Sequence, residues 1–387
     1  MNYKGRAKRP GLLVLSCEYD TLTAKAIMTY LFAFLAAFFA VVLLVPLVLR
    51  YAVRCSVIDL PKGSRKIHTR PTPLLGGIAI FAGLVIIVWY VALKTPYLLN
   101  GSIRADHLFG FFLGGLILMI GGYLDDRYDL PPIWQIIFSI IAVCIVIGSG
   151  IGIRAITNPF GGTFSLAQWE RVIFWWHGIG YRIILPADIF TFVWLMVVMY
   201  TTKLLDGLDG LVSGITVIGA MMIFLLATAT KFFQPEVGML AILIAGVFAG
   251  FLFWNWHPAK IFLGEGGSTF AGFSLGILAI ISGGKIATAL LVLGIPLFDA
   301  AWVLFRRSVW EKRSPMQADR KHLHFRLLDA GFSHRTVVIF YLVCATLFGV
   351  TTLFLQSREK LLALGLLTVG MIAAAFLLVR KRAQDIS

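Results

Sequence analysis

Carboxylates are scarce in this chain, and where they stand is the first sign of possible chemistry. Asp125-Asp126-Arg127, Asp206-Gly-Leu-Asp209-Gly210 and Glu265, within Phe262-Leu-Gly-Glu265-Gly-Gly-Ser268, each follow a long apolar run. So does a basic segment, Asp319-Arg320-Lys-His322-Leu-His324. Acids grouped at a bilayer interface repel one another unless a cation joins them, and Mg²⁺ takes one or two carboxylates together with phosphate oxygens and water. Asp206 and Asp209 would share a face if helical. Asp125 and Asp126 would diverge by about 100°, leaving one for a metal and the other as a base. Glycines at 207, 210, 264, 266 and 267 would let a phosphate approach the backbone closely. Phosphoryl transfer asks mainly for positioning and charge stabilisation, and these groups could supply both. Taken singly, each motif has a plainer reading: a charged helix stop, a capped turn, a flexible hairpin, a contact for anionic lipid. Their conjunction is what points to chemistry.

The elements that must position these residues are membrane spans. Apolar residues make up 59% of the 387 and charged residues 14%, against roughly a quarter charged in a soluble domain. The fold class implied is all-α, a polytopic transmembrane bundle. About eleven apolar stretches reach the roughly 20 residues a span needs. They lie near 28–49, 74–93, 107–124, 133–153, 184–200, 211–230, 237–256, 268–283, 286–305, 336–356 and 361–380. Only Ser282-Gly283-Gly284-Lys285 divides the eighth from the ninth, so ten spans result if they fuse. Residues 1–27 read as a polar, dispensable extension, and 28–382 as one multi-pass catalytic domain. The four cysteines (Cys17, Cys55, Cys144, Cys344) have no metal-ligand spacing and read as reduced packing residues. Asp299 falls inside a span, where a functional acid and a buried hydrogen bond are equally open readings. His257 reads as a capping or packing residue, and Trp175-Trp176-His177 as an interfacial belt.

Lysine and arginine set the sidedness. If the first span runs inward, the loops at 50–73, with Lys66 and Arg70, and at 306–335 face the cytoplasm together with the Arg380-Lys381-Arg382 tail. The acidic loops at 125–132, 201–210 and 257–267 then fall on that same face. The formal charge of +15 would meet anionic lipid and phosphorylated substrates. Nucleic acid is not an expected partner, since no soluble basic module exists to bind it.

Five segments resemble one family in content and order: His68 to Gly77, Gly122 to Leu130, Asp206 to Gly210, Asn255 to Ser268 and Asp319 to His324. The family is the polyprenyl-phosphate N-acetylhexosamine-1-phosphate transferases. The resemblance implies an inner-membrane enzyme, of the phosphoglycosyl transferase type, with its active site at the cytoplasmic face. It would move a sugar-1-phosphate from a UDP-sugar to a polyprenyl phosphate and release UMP, an early step in cell-wall or surface glycan assembly. By the same resemblance Asp125, Asp126 and Asp209 are catalytic, and Asp126, Asp206, Asp209 and Glu265 hold Mg²⁺, with Mn²⁺ able to substitute. Substrate binding falls to Lys66, Arg70, Lys203, Asp206, Asn255, Phe262 (stacked on uracil), Arg320, His322 and His324. Homodimerisation is left open.

Departures from the family pattern bear on the donor sugar. Lys203 stands where asparagine is usual, Glu265 where aspartate is usual, Ile133 where lysine is common and Phe325 in place of a further histidine. Two rival readings share part of the inventory. A membrane phosphatase or pyrophosphatase acting on polyprenyl diphosphates would lack a nucleotide pocket. A transporter would place its acids near the midplane, at broken helices.

Overall fold

The computed structural model describes residues 11–61, 70–95, 98–99, 101–158, 162–176, 179–228, 233–283, 286–312, 322–355, 358–367 and 369–370. Its helices are α1 (Gly11–Arg54), α2 (Gly76–Lys94), α3 (Ala105–Tyr128), α4 (Pro132–Gly148), α5 (Leu185–Leu205), α6 (Leu211–Thr228), α7 (Pro235–Asn255), α8 (Gly264–Ile281), α9 (Ile286–Val292), α10 (Gly294–Phe305), α11 (Leu323–Asp329) and α12 (His334–Phe354). Eight of these, α1 from Ala26 onward with α2, α3, α5, α6, α7, α8 and α12, are long and apolar enough to cross a membrane. Prolines open α4, α5 and α7, where a missing N–H costs nothing. The architecture is the expected all-α polytopic bundle, but among the described residues eight helices, or nine with the bent α9–α10 pair, have membrane-spanning length rather than ten or eleven, α4 being too short at 17 residues.

Three further details differ from the sequence reading. The ninth apolar stretch is not one straight span, because α9 and α10 meet at 77°; Gly294 and Pro296 at the start of α10 favour a fresh helix over a continued one. The expected loops are shorter than drawn: α3 carries Asp125 and Asp126 in its last turn, α8 already includes Glu265, and α1 reaches back to Gly11 through much of the polar extension. Finally, the segment between α4 and α5 is not all loop. It forms two antiparallel ribbons, β3 (Ala155–Thr157) with β4 (Thr163–Ser165) and β5 (Glu170–Trp176) with β6 (Ile179–Ile184). A shorter ribbon pairs β1 (Ile58–Asp59) with β2 (Thr72–Pro73). Most of the eleventh stretch lies outside the described residues.

Burial explains why the bundle is built around α8. In its most apolar window 94% of residues are buried, against 22% for α1. A Cβ on Gly77 would collide with the Gly267 main chain, and one on Gly122 with that of Gly266. Glycine therefore lets α2 and α3 approach the start of α8 backbone to backbone, the small-residue packing that membrane helices favour. Phe111, Phe270 and Phe273 fill the layer behind this contact. Outward, Leu43, Trp89, Phe109, Leu347 and Phe354 are largely exposed, a surface that suits lipid. Chain direction reverses from one long element to the next, with the bent α9–α10 pair counting as one. The ends of α1, α3, α5, α7 and α10 and the starts of α2, α4, α6, α8 and α12 are thus gathered at one end of the bundle.

Candidate active site

At that end a cavity of about 410 Å³ opens, and Asp59, Asp125, Asp126, Lys203, Asp206, Asp209, Asn255, His257, Phe262, Glu265, Phe325 and His334 are among the residues that line it. Asp125 and Asp126 diverge as helical neighbours should. Gln135 Nε2, at the start of α4, donates to Asp125 Oδ1 (2.7 Å). The Glu265 amide, at the N-terminus of α8, donates to Asp126 Oδ1 (3.1 Å), a favourable place for an anion. Gly264 has φ +73°, and a Cβ there would strike Asp126 Oδ2. Glycine is required at this position on both counts.

The two most notable departures from the family pattern touch each other. Lys203 Nζ, in the last turn of α5, donates to Glu265 Oε1 (2.6 Å) and to Gln135 Oε1 (2.7 Å). Asp125, Gln135, Lys203 and Glu265 are thereby linked into one network across α3, α4, α5 and α8.

Asp206 and Asp209 do not share a helix face. Asp206 caps α5, and Asp209 sits in the turn before α6. Asp209 Oδ2 lies 2.7 Å from His257 Nδ1 and accepts from the Ala259 amide (3.1 Å). Asp206 accepts no hydrogen bond from a described residue. It opens to the cavity, yet protein surrounds it on its other sides. That enclosure, with the charges of Glu265 and Asp209, pushes its carboxyl up to about 7. Six carboxylates line the cavity, Asp59 included, with one ammonium among them; such a set suits a divalent cation, and Asp206 accepts no hydrogen bond that would compete with it.

The remaining candidates are placed variously. Asn255 Oδ1 accepts from the Gly210 amide (3.0 Å) and from Ser213 Oγ (3.1 Å), while Nδ2 donates to the Ile261 carbonyl (3.0 Å). Its amide thus clasps the DGLDG turn to the α7–α8 loop. Phe262 lines the cavity and is pinned through its main chain to Pro73 and Gly76. His322 and His324 are buried behind the DGLDG turn and are not brought into the cavity lining. His324 Nε2 would stand 2.7 Å from a Cβ on Gly207, and burial pushes its imidazole down to about 4, so it is neutral. Asp299 resolves in favour of the buried hydrogen bond, to the histidine arm: its oxygens meet His322 Nδ1 (2.9 Å) and the Leu323 amide (2.8 Å). Arg70 is exposed and away from the cavity lining. Lys66 and Arg320 lie outside the described residues.

Sequence reasoning missed Gln135, His334 and Asp59, and took His257 for a packing residue. Each is a lone polar residue whose significance depends on a distant partner. Gln135, polar within the apolar Ile133–Phe138, carried the only local signal.

A carboxylate-lined cavity at one end of a bundle of membrane-length helices is an arrangement that would suit a cation and a phosphorylated substrate. Residues 108–283 match the glycosyl transferase family 4 model. The chain is 29% identical over 347 residues, 88% of each sequence, to the probable undecaprenyl-phosphate N-acetylglucosaminyl 1-phosphate transferase of Bacillus subtilis. It is 28% identical over 364 residues, 86% of this chain and 84% of the relative, to the decaprenyl-phosphate N-acetylglucosaminephosphotransferase of Mycolicibacterium smegmatis. It is also 27% identical over 343 residues, 85% and 83%, to the undecaprenyl-phosphate alpha-N-acetylglucosaminyl 1-phosphate transferase of Yersinia pestis. The chain is thus similar over most of its length to polyprenyl-phosphate sugar-1-phosphate transferases, and over residues 108–283 to glycosyl transferase family 4.

Proposed function

We propose that the protein transfers an N-acetylhexosamine-type sugar 1-phosphate from a UDP-sugar to a polyprenyl phosphate, at the cytoplasmic face of the inner membrane, and releases UMP. The observation that carries this reading is the cavity in which Asp125, Asp126, Asp206, Asp209 and Glu265 meet Lys203. It lies at the bundle end that the Lys- and Arg-rich loops assign to the cytoplasm. The relatives' names supply the substrate class.

Asp126, Asp206, Asp209 and Glu265 would hold Mg²⁺, which when bound neutralises the donor diphosphate and the departing UMP. The Lys203 ammonium, fixed by Gln135 and Glu265, adds a second positive charge to the wall. An acceptor phosphate oxygen attacks the donor's β-phosphorus, and the bond from that phosphorus to the bridging oxygen breaks. Asp125, which accepts from Gln135, would take a proton from the acceptor. The need is modest, because a phosphate monoester's second pKa is about 6. Phe262 offers an aromatic face to uracil in the same cavity. The transporter reading loses support at the broken span. The break falls at Leu293-Gly294, which carry no ionisable group, and Asp299 further along α10 is committed to His322 and Leu323.

The test incubates purified protein with a panel of UDP-sugars and undecaprenyl phosphate in Mg²⁺ and scores UMP. UMP release that needs both substrates is expected. Phosphate release from a polyprenyl diphosphate without any nucleotide requirement would move the protein to the phosphatase class.

A further inference from the structure

Beside the Lys203 network stands a second group of ligating side chains with a different chemistry. Asp209 comes from the α5–α6 turn, His257 from the α7–α8 loop and His334 from the first position of α12. One ligand atom of each lies within 4.8 Å of the others. All three line the cavity.

The group is held from outside. Arg335 donates from Nε (3.2 Å) and Nη2 (3.0 Å) to the His257 carbonyl, and the Ala259 amide donates to Asp209 Oδ2 (3.1 Å). The His257 and His334 rings stack with centroids 4.0 Å apart. Both ring nitrogens of His334 are buried and meet no hydrogen-bond partner. A buried polar atom left this way carries an uncompensated desolvation cost, so the arrangement asks for a ligand that satisfies imidazole.

The neighbouring charges decide which kind. Asp206, Glu265, Asp126 and Asp209 itself make the region hostile to an anion bound directly by these imidazoles. Mg²⁺ demands oxygen ligands. Two imidazoles with one carboxylate instead match the borderline first-row divalent ions, with water or a substrate oxygen completing the coordination.

We propose that Asp209, His257 and His334 form a second cation site, selective for a first-row transition metal over Mg²⁺. The site adds a cation to the same wall as the carboxylate cluster, with Asp209 common to both. It does not depend on the transfer reading, which is scored by UMP release in Mg²⁺ alone and survives either outcome here.

Co²⁺ is the probe, because its visible absorption reports ligand type and geometry. The full chain in detergent is stripped with chelator, supplied with a large excess of Mg²⁺ to hold the oxygen ligands, and titrated with Co²⁺ under equilibrium dialysis. One Co²⁺ per chain is expected to bind despite the Mg²⁺, with a band more intense than that of the hydrated ion, and to be displaced by Zn²⁺. His334→Gln and His257→Gln should each weaken that binding by at least about tenfold, while Asp206→Asn retains it. Melting curves establish that the variants are folded. The proposal is overturned if wild-type protein shows no Mg²⁺-resistant Co²⁺, a result that needs no variant. It is equally overturned if Asp206→Asn abolishes the binding and the histidine variants leave it intact, since Co²⁺ would then sit among the carboxylates.

Discussion

Both ends of the bundle gather acids, and they treat them in opposite ways. At the end away from the cavity, Glu236 opens α7 almost fully buried, and its Oε1 accepts from the Ser102 amide (2.8 Å). Gln234 Nε2 braces Ser102 Oγ (3.4 Å). Asp188, in the first turn of α5, accepts from the Ile184 amide (2.8 Å). These acids are staples, each closing a helix start against a loop. At the cavity end Asp206 has no such donor, and Asp125, Asp126, Asp209 and Glu265 crowd around it. The difference separates an acid that stabilises the fold from one that destabilises it to keep a ligand position open.

The largest expected effect follows directly. Asp206→Asn keeps the shape and removes the charge, so turnover should fall by roughly a hundredfold or more, with the melting temperature unchanged or raised. Glu236→Gln should do the reverse. Activity stays within about twofold, while stability drops by about 1–3 kcal/mol as the Ser102 amide loses its charged acceptor. UMP release and thermal melts on the two variants check the contrast, and equal damage to activity from both would erase the distinction.

Much of this arrangement could be read from the chain, and what could not has a physical reason. The apolar stretches and the acidic motifs at their ends are local signals, and the structure finds an apolar helix at each described stretch. The bend at Leu293 was not foreseen, though Gly294 and Pro296 stood in view, because hydropathy measures apolarity and not direction. The ribbons between β3 and β6 escaped notice because short, mixed strands carry little periodicity. Lys203 and Glu265 were visible only as two separate departures. They are 62 residues apart, and only the packing of α5 on α8 turns them into one unit. The same holds for Asp299 and His322, and for His257 with His334.

That pairing supports a prediction of intermediate size. Lys203→Asn strips the network of its only cation and should cost about tenfold in turnover. Glu265→Asp retracts the carboxylate from Lys203 and should cost a similar amount. If the pair works as a unit, the double variant should be less impaired than the product of the two, with a coupling energy of about 1–2 kcal/mol. Initial rates for the four proteins close the cycle. Strict additivity would mean that the 2.6 Å contact carries no functional coupling.

The smallest effect is hidden at neutral pH and lies in two titrations of opposite sign at the cavity end. His324 has its pKa lowered from 6.5 to about 4 by burial. Between those values the unfolded chain binds more protons than the folded one, so its contribution is complete above 6.5 and is lost as pH falls toward 4. Near pH 5 this amounts to about 2 kcal/mol at one pKa unit per 1.36 kcal/mol. Asp206 is raised from 3.8 to about 7. Here the folded state holds the extra proton, so stability present at low pH is lost as pH rises through about 7. Access to cavity water weakens this second contribution. In chelator, the two slopes partly cancel between pH 4 and 6.5, and the wild-type melting temperature should change little across that window. His324→Leu removes the first slope, so its melting temperature should fall as pH rises. Asp206→Asn removes the second, so its melting temperature should climb with pH. Melts of the three proteins at half-unit intervals test this. Parallel curves would show that neither group titrates differently in the folded chain, and the cavity end would then be no more strained than the Glu236 end.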